Sequence, residues 1–121
     1  MPKTALVVDD STSIRKIVSA TLESQGFEVI EGTNGQHALT VSENRAVNLV
    51  ITDLNMPEMD GITLIKQLRS RPAFKFTPIL LLTTESQDSK KQEGKAAGAT
   101  GWMVKPFNPD QLLDVVKKVV R

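Results

Sequence analysis

The sequence predicts an α/β fold in which five parallel strands alternate with five helices, and three observations predict it. Short aliphatic runs recur along the 121-residue chain, and each is followed by a segment whose apolar residues are spaced three or four apart. The runs have the length of strands, and the spaced segments form one face of a helix. Strands that alternate with helices join as parallel neighbours through right-handed crossovers. The nearly continuous aliphatic character of several runs indicates strands that are covered on both faces.

The first two strands enclose a helix with one apolar face. Residues 5–8 form an aliphatic run that predicts the first strand. Apolar residues then recur at helical spacing over residues 14–22, with Thr12 or Ser13 as the expected N-cap. Residues 27–30 predict the second strand.

The middle of the chain repeats the alternation. Asn34 and Gly35 predict a turn, and residues 36–45 predict a second, largely polar helix. Residues 49–53 form an aliphatic run that ends in a carboxylate and predicts the third strand. Apolar residues at helical spacing over residues 62–68 predict the third helix.

The last third of the chain holds two more strand and helix pairs. Residues 79–84 form the most continuous apolar run and predict the fourth strand. Residues 86–97 predict a helix, although this segment has almost no large apolar side chains. Residues 98–104 predict the fifth strand, and Leu and Val residues over 112–120 predict the last helix.

The composition limits the possible functions. The chain has 15 Lys and Arg against 14 Asp and Glu, so its charge gives no overall attraction to nucleic acid or to an anionic membrane. The absence of cysteine excludes disulfides, thiolate zinc sites and cysteine nucleophiles. No apolar run approaches the length of a membrane span. We expect a soluble, cytoplasmic monomer that binds no nucleic acid, with residues 1–121 forming one domain and no output domain.

Charged side chains follow three of the predicted strands. Asp9 and Asp10 follow the first strand, Asp53 ends the third, and Lys105 follows the fifth. In an open parallel sheet the carboxyl ends of the strands meet at one edge, where ligands bind. Clustered carboxylates repel one another and favour a hard cation with oxygen ligands, such as Mg²⁺. A carboxylate beside such an ion and a lysine is suited to accept a phosphoryl group.

Each of these residues also has an ordinary structural interpretation. An Asp after a strand commonly caps a helix or occupies a loop, and Asp9 and Asp10 can cap the first helix. A lone Lys105 is commonly a surface residue. The joint placement of all four side chains at strand ends favours the functional interpretation.

Four motifs carry a resemblance to a known family. They are VVDDS at 7–11, TDLNMPEMDG at 52–61, LTTE at 82–85 and VKPF at 104–107. On these motifs the chain resembles the receiver domains of response regulators over essentially its whole length. It is most similar to the stand-alone CheY-like chemotaxis regulators. The resemblance implies a flavodoxin-like (βα)5 three-layer sandwich with a five-stranded parallel sheet in the order 2-1-3-4-5.

The resemblance also implies roles for the clustered side chains. Asp53 is expected to be the phosphoacceptor, and Asp10 a direct ligand of Mg²⁺, which Mn²⁺ can replace. Asp9 is expected to bind the ion directly or through water, and Asn55 to offer its backbone carbonyl. Lys105 is expected to pair with Asp53 and then with a phosphoryl oxygen, after a cis peptide bond to Pro106.

Further residues are implied to sense the phosphoryl group and to tune its lifetime. Thr83 is expected to donate its hydroxyl to a phosphoryl oxygen, and Trp102 to turn inward when Thr83 moves. Asn55 and Glu85 are expected to tune dephosphorylation. The face formed by the fourth helix, the fifth strand and the fifth helix is expected to bind the target.

The resemblance thus implies a two-component signalling switch that is not an enzyme in the ordinary sense. The expected phosphodonor is a CheA-like histidine kinase, and the expected target is a flagellar-motor switch protein or another protein, with a possible phosphatase. Chemotaxis is the expected process. The alternatives are a phosphate sink, a phosphorelay intermediate or a docking-only pseudo-receiver.

Two unrelated classes fit the sequence poorly. A phosphatase of the haloacid dehalogenase type needs Asp-x-Asp after the first strand, but Ser11 lies two residues after Asp9. A flavodoxin-type flavin carrier needs a phosphate-binding loop there, and two acidic residues repel phosphate.

Overall fold

The computed structural model describes residues 3–84 and 88–120, and five strands and five helices alternate along them. The strands are β1 (Thr4–Val8), β2 (Glu28–Gly32), β3 (Leu49–Asp53), β4 (Ile79–Thr83) and β5 (Gly101–Val104). The helices are α1 (Thr12–Glu23), α2 (Gly35–Val41), α3 (Gly61–Arg69), α4 (Asp88–Ala97) and α5 (Pro109–Val119). A short 3-10 turn (Pro72–Phe74) precedes β4.

The strands form one parallel sheet in the order β2-β1-β3-β4-β5, which confirms the predicted order. In the centre of the sheet, Val8 of β1 pairs with Thr52 of β3, and Asp53 pairs with Leu82 of β4. The carboxyl ends of β1, β3 and β4 therefore lie side by side at one edge.

Each face of the sheet carries its own apolar cluster, which confirms the predicted three-layer sandwich. Buried residues of α2 and α3 cover one face, and the cluster there includes Leu6, Val50, Leu81, Ala38, Ile65 and Leu68. Buried residues of α1 and α5 cover the other, and its cluster includes Val7, Ile51, Leu82, Leu22, Leu112 and Val116. Alternate side chains of a strand point to opposite faces, so an aliphatic run fills both layers.

The first helix begins one residue earlier than the sequence predicted. Ser11 is its N-cap, and the Ser11 hydroxyl accepts a hydrogen bond from the backbone N–H of Ile14 at 3.3 Å. The prediction of Thr12 or Ser13 was therefore wrong. Three consecutive residues carry hydroxyl groups and share the same capping chemistry, so the sequence could not separate them.

The second helix is shorter than predicted. Asn34 caps its start rather than forming a separate turn, since its side chain accepts a hydrogen bond from the N–H of His37. The helix ends at Val41, not at residue 45. The hydroxyl of Ser42 donates to the carbonyl of Ala38 at 2.7 Å, and Asn44 follows with a positive φ of 58°, which a helix cannot contain.

The fourth helix packs closely despite its lack of large apolar side chains. A Cβ atom on Gly94 would lie 2.6 Å from Leu81 of the sheet and 3.4 Å from the ring of Trp102. The missing side chain therefore lets the helix backbone approach β4 and β5 directly. The predicted start of this helix, Ser86, lies outside the described residues.

The fifth strand begins at Gly101, three residues after the predicted start. Gly98 instead ends α4: it has a φ of +115°, and its N–H donates to the carbonyls of Gly94 and Lys95. The guanidinium of Arg69 donates two hydrogen bonds to the Gly98 carbonyl, at 3.1 and 2.7 Å. The end of α3 is thereby tied to the end of α4.

A methyl group added at Gly61 is expected to destabilise the protein. Gly→Ala in a helix usually stabilises by up to about 1 kcal/mol. Here the new Cβ would clash with the backbone carbonyl of Asp53 and lie 3.0 Å from the Cα of Leu54. We expect Gly61→Ala to lower the free energy of unfolding by about 1–3 kcal/mol, measured by urea denaturation. The exposed Thr63→Ala on the same helix should change it by less than about 0.5 kcal/mol, and a stabilised Gly61→Ala would contradict the close contact.

Candidate functional site

Asp9 is buried directly after β1 and is held from three directions. Only 2% of its surface is exposed. Its backbone N–H donates to the carbonyl of Gly32 at 3.2 Å, and its carboxylate accepts from the N–H of Ser11 at 2.9 Å. The Arg15 guanidinium donates to the Asp9 carbonyl at 2.8 Å. These contacts fix the position of one carboxylate at the edge of the sheet.

Asp53 is the last residue of β3 and is also buried, with 7% of its surface exposed. The backbone stays paired with β4 for one residue past the strand, because the N–H of Leu54 donates to the carbonyl of Leu82 at 2.9 Å. Gly61, the first residue of α3, donates its N–H to the Leu54 carbonyl at 2.8 Å. The backbone on the far side of Asp53 is therefore fixed by both β4 and α3.

Lys105 joins the two buried carboxylates. Its ammonium nitrogen lies 3.0 Å from Oδ2 of Asp9 and 3.3 Å from Oδ1 of Asp53. Its backbone N–H donates to the carbonyl of Thr83 at 2.7 Å, which holds the chain after β5 against the end of β4. The Lys105–Pro106 peptide bond is cis, as the resemblance implied.

Asp10 completes a cluster of three carboxylates. One carboxylate oxygen each from Asp9, Asp10 and Asp53 lies within 4.8 Å of the other two. Asp10 is exposed, whereas the other two are buried, so the cluster opens to solvent on its side. Three carboxylate oxygens at this spacing are hard donors of the type that divalent cations prefer. This acidic cluster can bind a metal ion.

The two central groups have raised pKa values. Burial, followed by the negative charge of Asp9, raises the pKa of Asp53 from 3.8 to about 6, although the charge of Lys105 opposes the rise. Burial alone would lower the pKa of Lys105. Its hydrogen bonds and ion pairs with Asp9 and Asp53 outweigh burial and raise that pKa above its usual value. Lys105 therefore stays charged, and Asp53 ionises just below neutral pH.

Thr83 and Trp102 lie on the same face of the sheet, two residues apart in the register of β4 and β5. Thr83 is the fully buried last residue of β4 and pairs with Val104, while Leu81 pairs with Trp102. The indole Nε1 of Trp102 is buried and has no hydrogen-bond partner among residues 3–84 and 88–120. Their predicted joint movement stays a prediction.

The remaining predicted residues are less informative. Asn55 lies in the loop after β3 with an exposed side chain. Glu85 lies outside the described residues. The roles predicted for both stay predictions.

Three supporting residues were not predicted from the sequence. Ser11 orients the Asp9 carboxylate, Arg15 binds the Asp9 carbonyl, and Gly61 lets α3 approach Asp53. Ser11 and Gly61 end two of the acidic motifs, and Arg15 follows the first by four residues, but this placement did not reveal their contacts. Hydroxyl, guanidinium and glycine residues at such places usually cap helices, face solvent or form turns.

The geometry of this site is accompanied by a family match. Residues 5–117 match the response regulator receiver domain family. The chain belongs to this family. It is the receiver domain of a two-component response regulator, of the CheY-like type, and the predicted flavodoxin-like fold is confirmed.

Solved structures of similar proteins cover nearly the whole chain. Chemotaxis protein CheY4 of Vibrio cholerae is 48% identical with a TM-score of 0.96, over 99% of this chain and all of that chain. A response regulator from Burkholderia multivorans is 42% identical with a TM-score of 0.79, over 98% of this chain and 94% of that one.

The curated relatives it matches include a longer protein. The transcriptional regulatory protein SrrA of Staphylococcus aureus is 36% identical over all 121 residues, which span 49% of SrrA. The chain thus spans about half the length of this relative, and the absence of an output domain stays a prediction. None of the described helices has the length and hydrophobicity that a membrane crossing requires. The cytoplasmic location also stays a prediction.

The raised pKa of Asp53 predicts a pH-dependent stability in the absence of metal. Between pH 3.8 and about 6 the folded protein keeps a proton that the unfolded chain has released. The free energy of unfolding therefore falls as pH rises through this range, and the loss persists above it. We expect Asp53→Asn to raise the free energy of unfolding by about 2 kcal/mol at about pH 8, and by much less at about pH 4.

Urea denaturation in EDTA at both pH values measures this difference. The matched control is Asp114→Asn, which removes an exposed carboxylate on α5 and should change little at either pH. An Asp53→Asn protein no more stable than the wild type at the higher pH would contradict the conclusion that the ionised Asp53 carboxylate destabilises the fold.

Proposed function

We propose that Asp53 accepts a phosphoryl group from a histidine kinase, and that this modification switches the protein between two signalling states. The observation that carries the proposal is the buried Asp53 carboxylate, 3.3 Å from the Lys105 ammonium and beside Asp9 and Asp10. An ionised oxygen beside a fixed cation is arranged to attack phosphorus and to stabilise the charge that develops.

The transfer forms one bond and breaks another. An oxygen of Asp53 forms a bond to phosphorus as the P–N bond of the donor phosphohistidine breaks. The bonding electron pair stays on the imidazole nitrogen of the kinase. Asp53 must be ionised to attack, and its pKa of about 6 leaves it mostly ionised at neutral pH. Lys105 can move its ammonium from Asp53 to a phosphoryl oxygen, since it keeps Asp9 as a partner.

The acidic cluster fits Mg²⁺, or Mn²⁺ in its place. Asp10, Asp53 and the backbone carbonyl of Asn55 would hold the ion, with Asp9 as a direct or water-mediated ligand. The ion, when bound, supplies positive charge to the phosphoryl oxygens. Asp9 is already held by Lys105 and by the N–H of Ser11. This favours Asp10, which faces solvent, as the more available ligand.

We further propose that Thr83 and Trp102 transmit the change. A phosphoryl group on Asp53 adds up to two negative charges and three acceptor oxygens at the ends of β3 and β4. The hydroxyl of Thr83 is expected to donate to one of them. Movement of Thr83 would free space for the ring of Trp102. The buried Nε1 of Trp102 has no hydrogen-bond partner among the described residues, so a ring position that offers an acceptor would be favourable.

The proposed target-binding face joins α4, β5 and α5. Its helices carry the basic residues Lys90, Lys91, Lys95, Lys117 and Lys118. A cleft of about 370 Å³ lies between β5 and α5, lined by Trp102, Val104 and Phe107 among others. This combination of basic and apolar side chains supports an acidic target with apolar anchors.

Chemotaxis is the process we propose, because of the 48% identity to a chemotaxis protein over the whole of both chains. A CheA-like kinase is then the proposed donor, and a flagellar-motor switch protein the proposed target, with a phosphatase as a further partner. A phosphate sink and a phosphorelay intermediate use the same site and remain alternatives. The complete set of acidic, lysine and threonine side chains argues against a docking-only pseudo-receiver.

Uptake of phosphate from a small donor tests the proposal. We expect incubation with acetyl phosphate and Mg²⁺ to add the mass of one phosphoryl group, read by intact-protein mass spectrometry. Asp53→Asn should gain nothing, because the attacking oxygen is lost. EDTA should suppress the gain.

The exposed Asp114→Asn is the matched control and should be modified like the wild type. The same mass gain on Asp53→Asn, or none on the wild type, would reject the proposed role of Asp53.

A further inference from the structure

An exposed aromatic ring lies at the edge of the sheet opposite the acidic cluster. Phe76 is 88% exposed, more than any other large apolar side chain of the described residues. It lies three residues before the first residue of β4 and therefore at the amino ends of the strands, whereas Asp53 lies at their carboxyl ends. Leaving so much apolar surface in water is costly, so a ligand that covers the ring gains free energy from its burial.

Two adjoining clefts lie beside this ring. The first has a volume of about 660 Å³ and is lined by residues 42–46 and 71–74. The second has a volume of about 280 Å³ and is lined by residues 47–48, 72–73 and 76–78. Both are lined by Pro72 and Ala73, so they adjoin at this turn, and we call the two clefts together the basal groove.

The walls of the basal groove are held in place by hydrogen bonds. The guanidinium of Arg71 donates to the carbonyl of Leu39 at 3.1 Å and to the hydroxyl of Ser42 at 3.2 Å. The guanidinium of Arg69 donates to the carbonyl of Phe74 at 2.6 Å. These bonds join the loop after α2 to the turn before β4. A groove that is already ordered loses little conformational entropy when a ligand binds.

The charge of the groove selects its ligand. Arg45 and Arg71 line it and Lys75 adjoins it, against a single acidic side chain, Glu43. The ammonium of Lys75 lies 5.5 Å from the centre of the Phe76 ring, so charge and apolar surface occur together. Arg71 has five N–H donors, and two hydrogen bonds to the described residues use part of them. A second copy of this chain would bring the same positive surface against itself, which is unfavourable.

We propose that the basal groove docks an acidic peptide segment of a partner protein. Carboxylates of the segment pair with Arg45 and Arg71, and an apolar side chain packs against Phe76 and Pro72. The strands between the two edges are five residues long, so the groove lies about 16 Å from the acidic cluster. The two sites do not overlap and can be occupied at the same time.

Fluorescence anisotropy with a labelled peptide tests the proposal. The probe is a peptide of about twelve residues, rich in Asp and Glu with a central Leu and Phe, titrated with the unphosphorylated full chain. We expect saturable binding that weakens as salt rises from about 50 to about 500 mM. Arg45→Glu and Phe76→Ala should each weaken it by about tenfold or more.

Two matched variants separate the basal groove from other surfaces. Lys16→Glu makes the same charge change on α1, away from the proposed target-binding face, and Ile17→Ala truncates another exposed apolar side chain, 49% exposed on the same helix. Each should change the dissociation constant by less than about twofold. Uptake of phosphate from acetyl phosphate should be unchanged in all four variants, which shows that they are folded.

Several results would overturn the proposal. They are no saturable binding to the wild type, weakening by Lys16→Glu but not by Arg45→Glu, and tighter binding of single-stranded DNA than of the peptide at equal salt. Concentration-dependent dimers in sedimentation that Phe76→Ala abolishes would also overturn it, since a second copy would then be the occupant.

Discussion

The whole site depends on one ammonium group placed between two buried carboxylates. The nitrogen of Lys105 lies 3.0 Å from Asp9 and 3.3 Å from Asp53, and it offsets the repulsion between acids that two strand ends bring together. The compensation is incomplete, because the pKa of Asp53 stays raised to about 6. The cluster therefore retains negative charge that can attract a metal ion, at a cost in stability.

The fold supplies this geometry through the parallel sheet. The carboxyl ends of β1, β3 and β4 lie side by side, and the N–H of Lys105 donates to the carbonyl of Thr83, which ties the fifth strand to the same edge. Aliphatic layers on both faces hold these ends in register. Gly94 lets α4 pack closely over Trp102. Gly61 likewise lets α3 pack closely against Asp53.

The sequence predicted the architecture and the convergence of Asp9, Asp10, Asp53 and Lys105, because both follow from the layout of a parallel sheet. Aliphatic runs and acidic strand ends follow from the chemistry of a parallel sheet, although the strand order came from the family resemblance. Details that depend on tertiary contacts could not be predicted. Ser11 was indistinguishable from two neighbouring caps, and the early end of α2 depends on Ser42 and on Arg71, which is distant in sequence. The basal groove likewise joins segments that share no local motif.

The most direct test of this account is the pKa of Asp53 itself, measured by carbon-13 NMR of its carboxyl group in metal-free protein. We expect a value of about 6 in the wild type. Replacing the ammonium in Lys105→Met should raise it further, because the carboxylate then loses its one compensating charge. A wild-type value near that of an ordinary aspartate, or a value that Lys105→Met leaves unchanged, would contradict the central role of this ion pair.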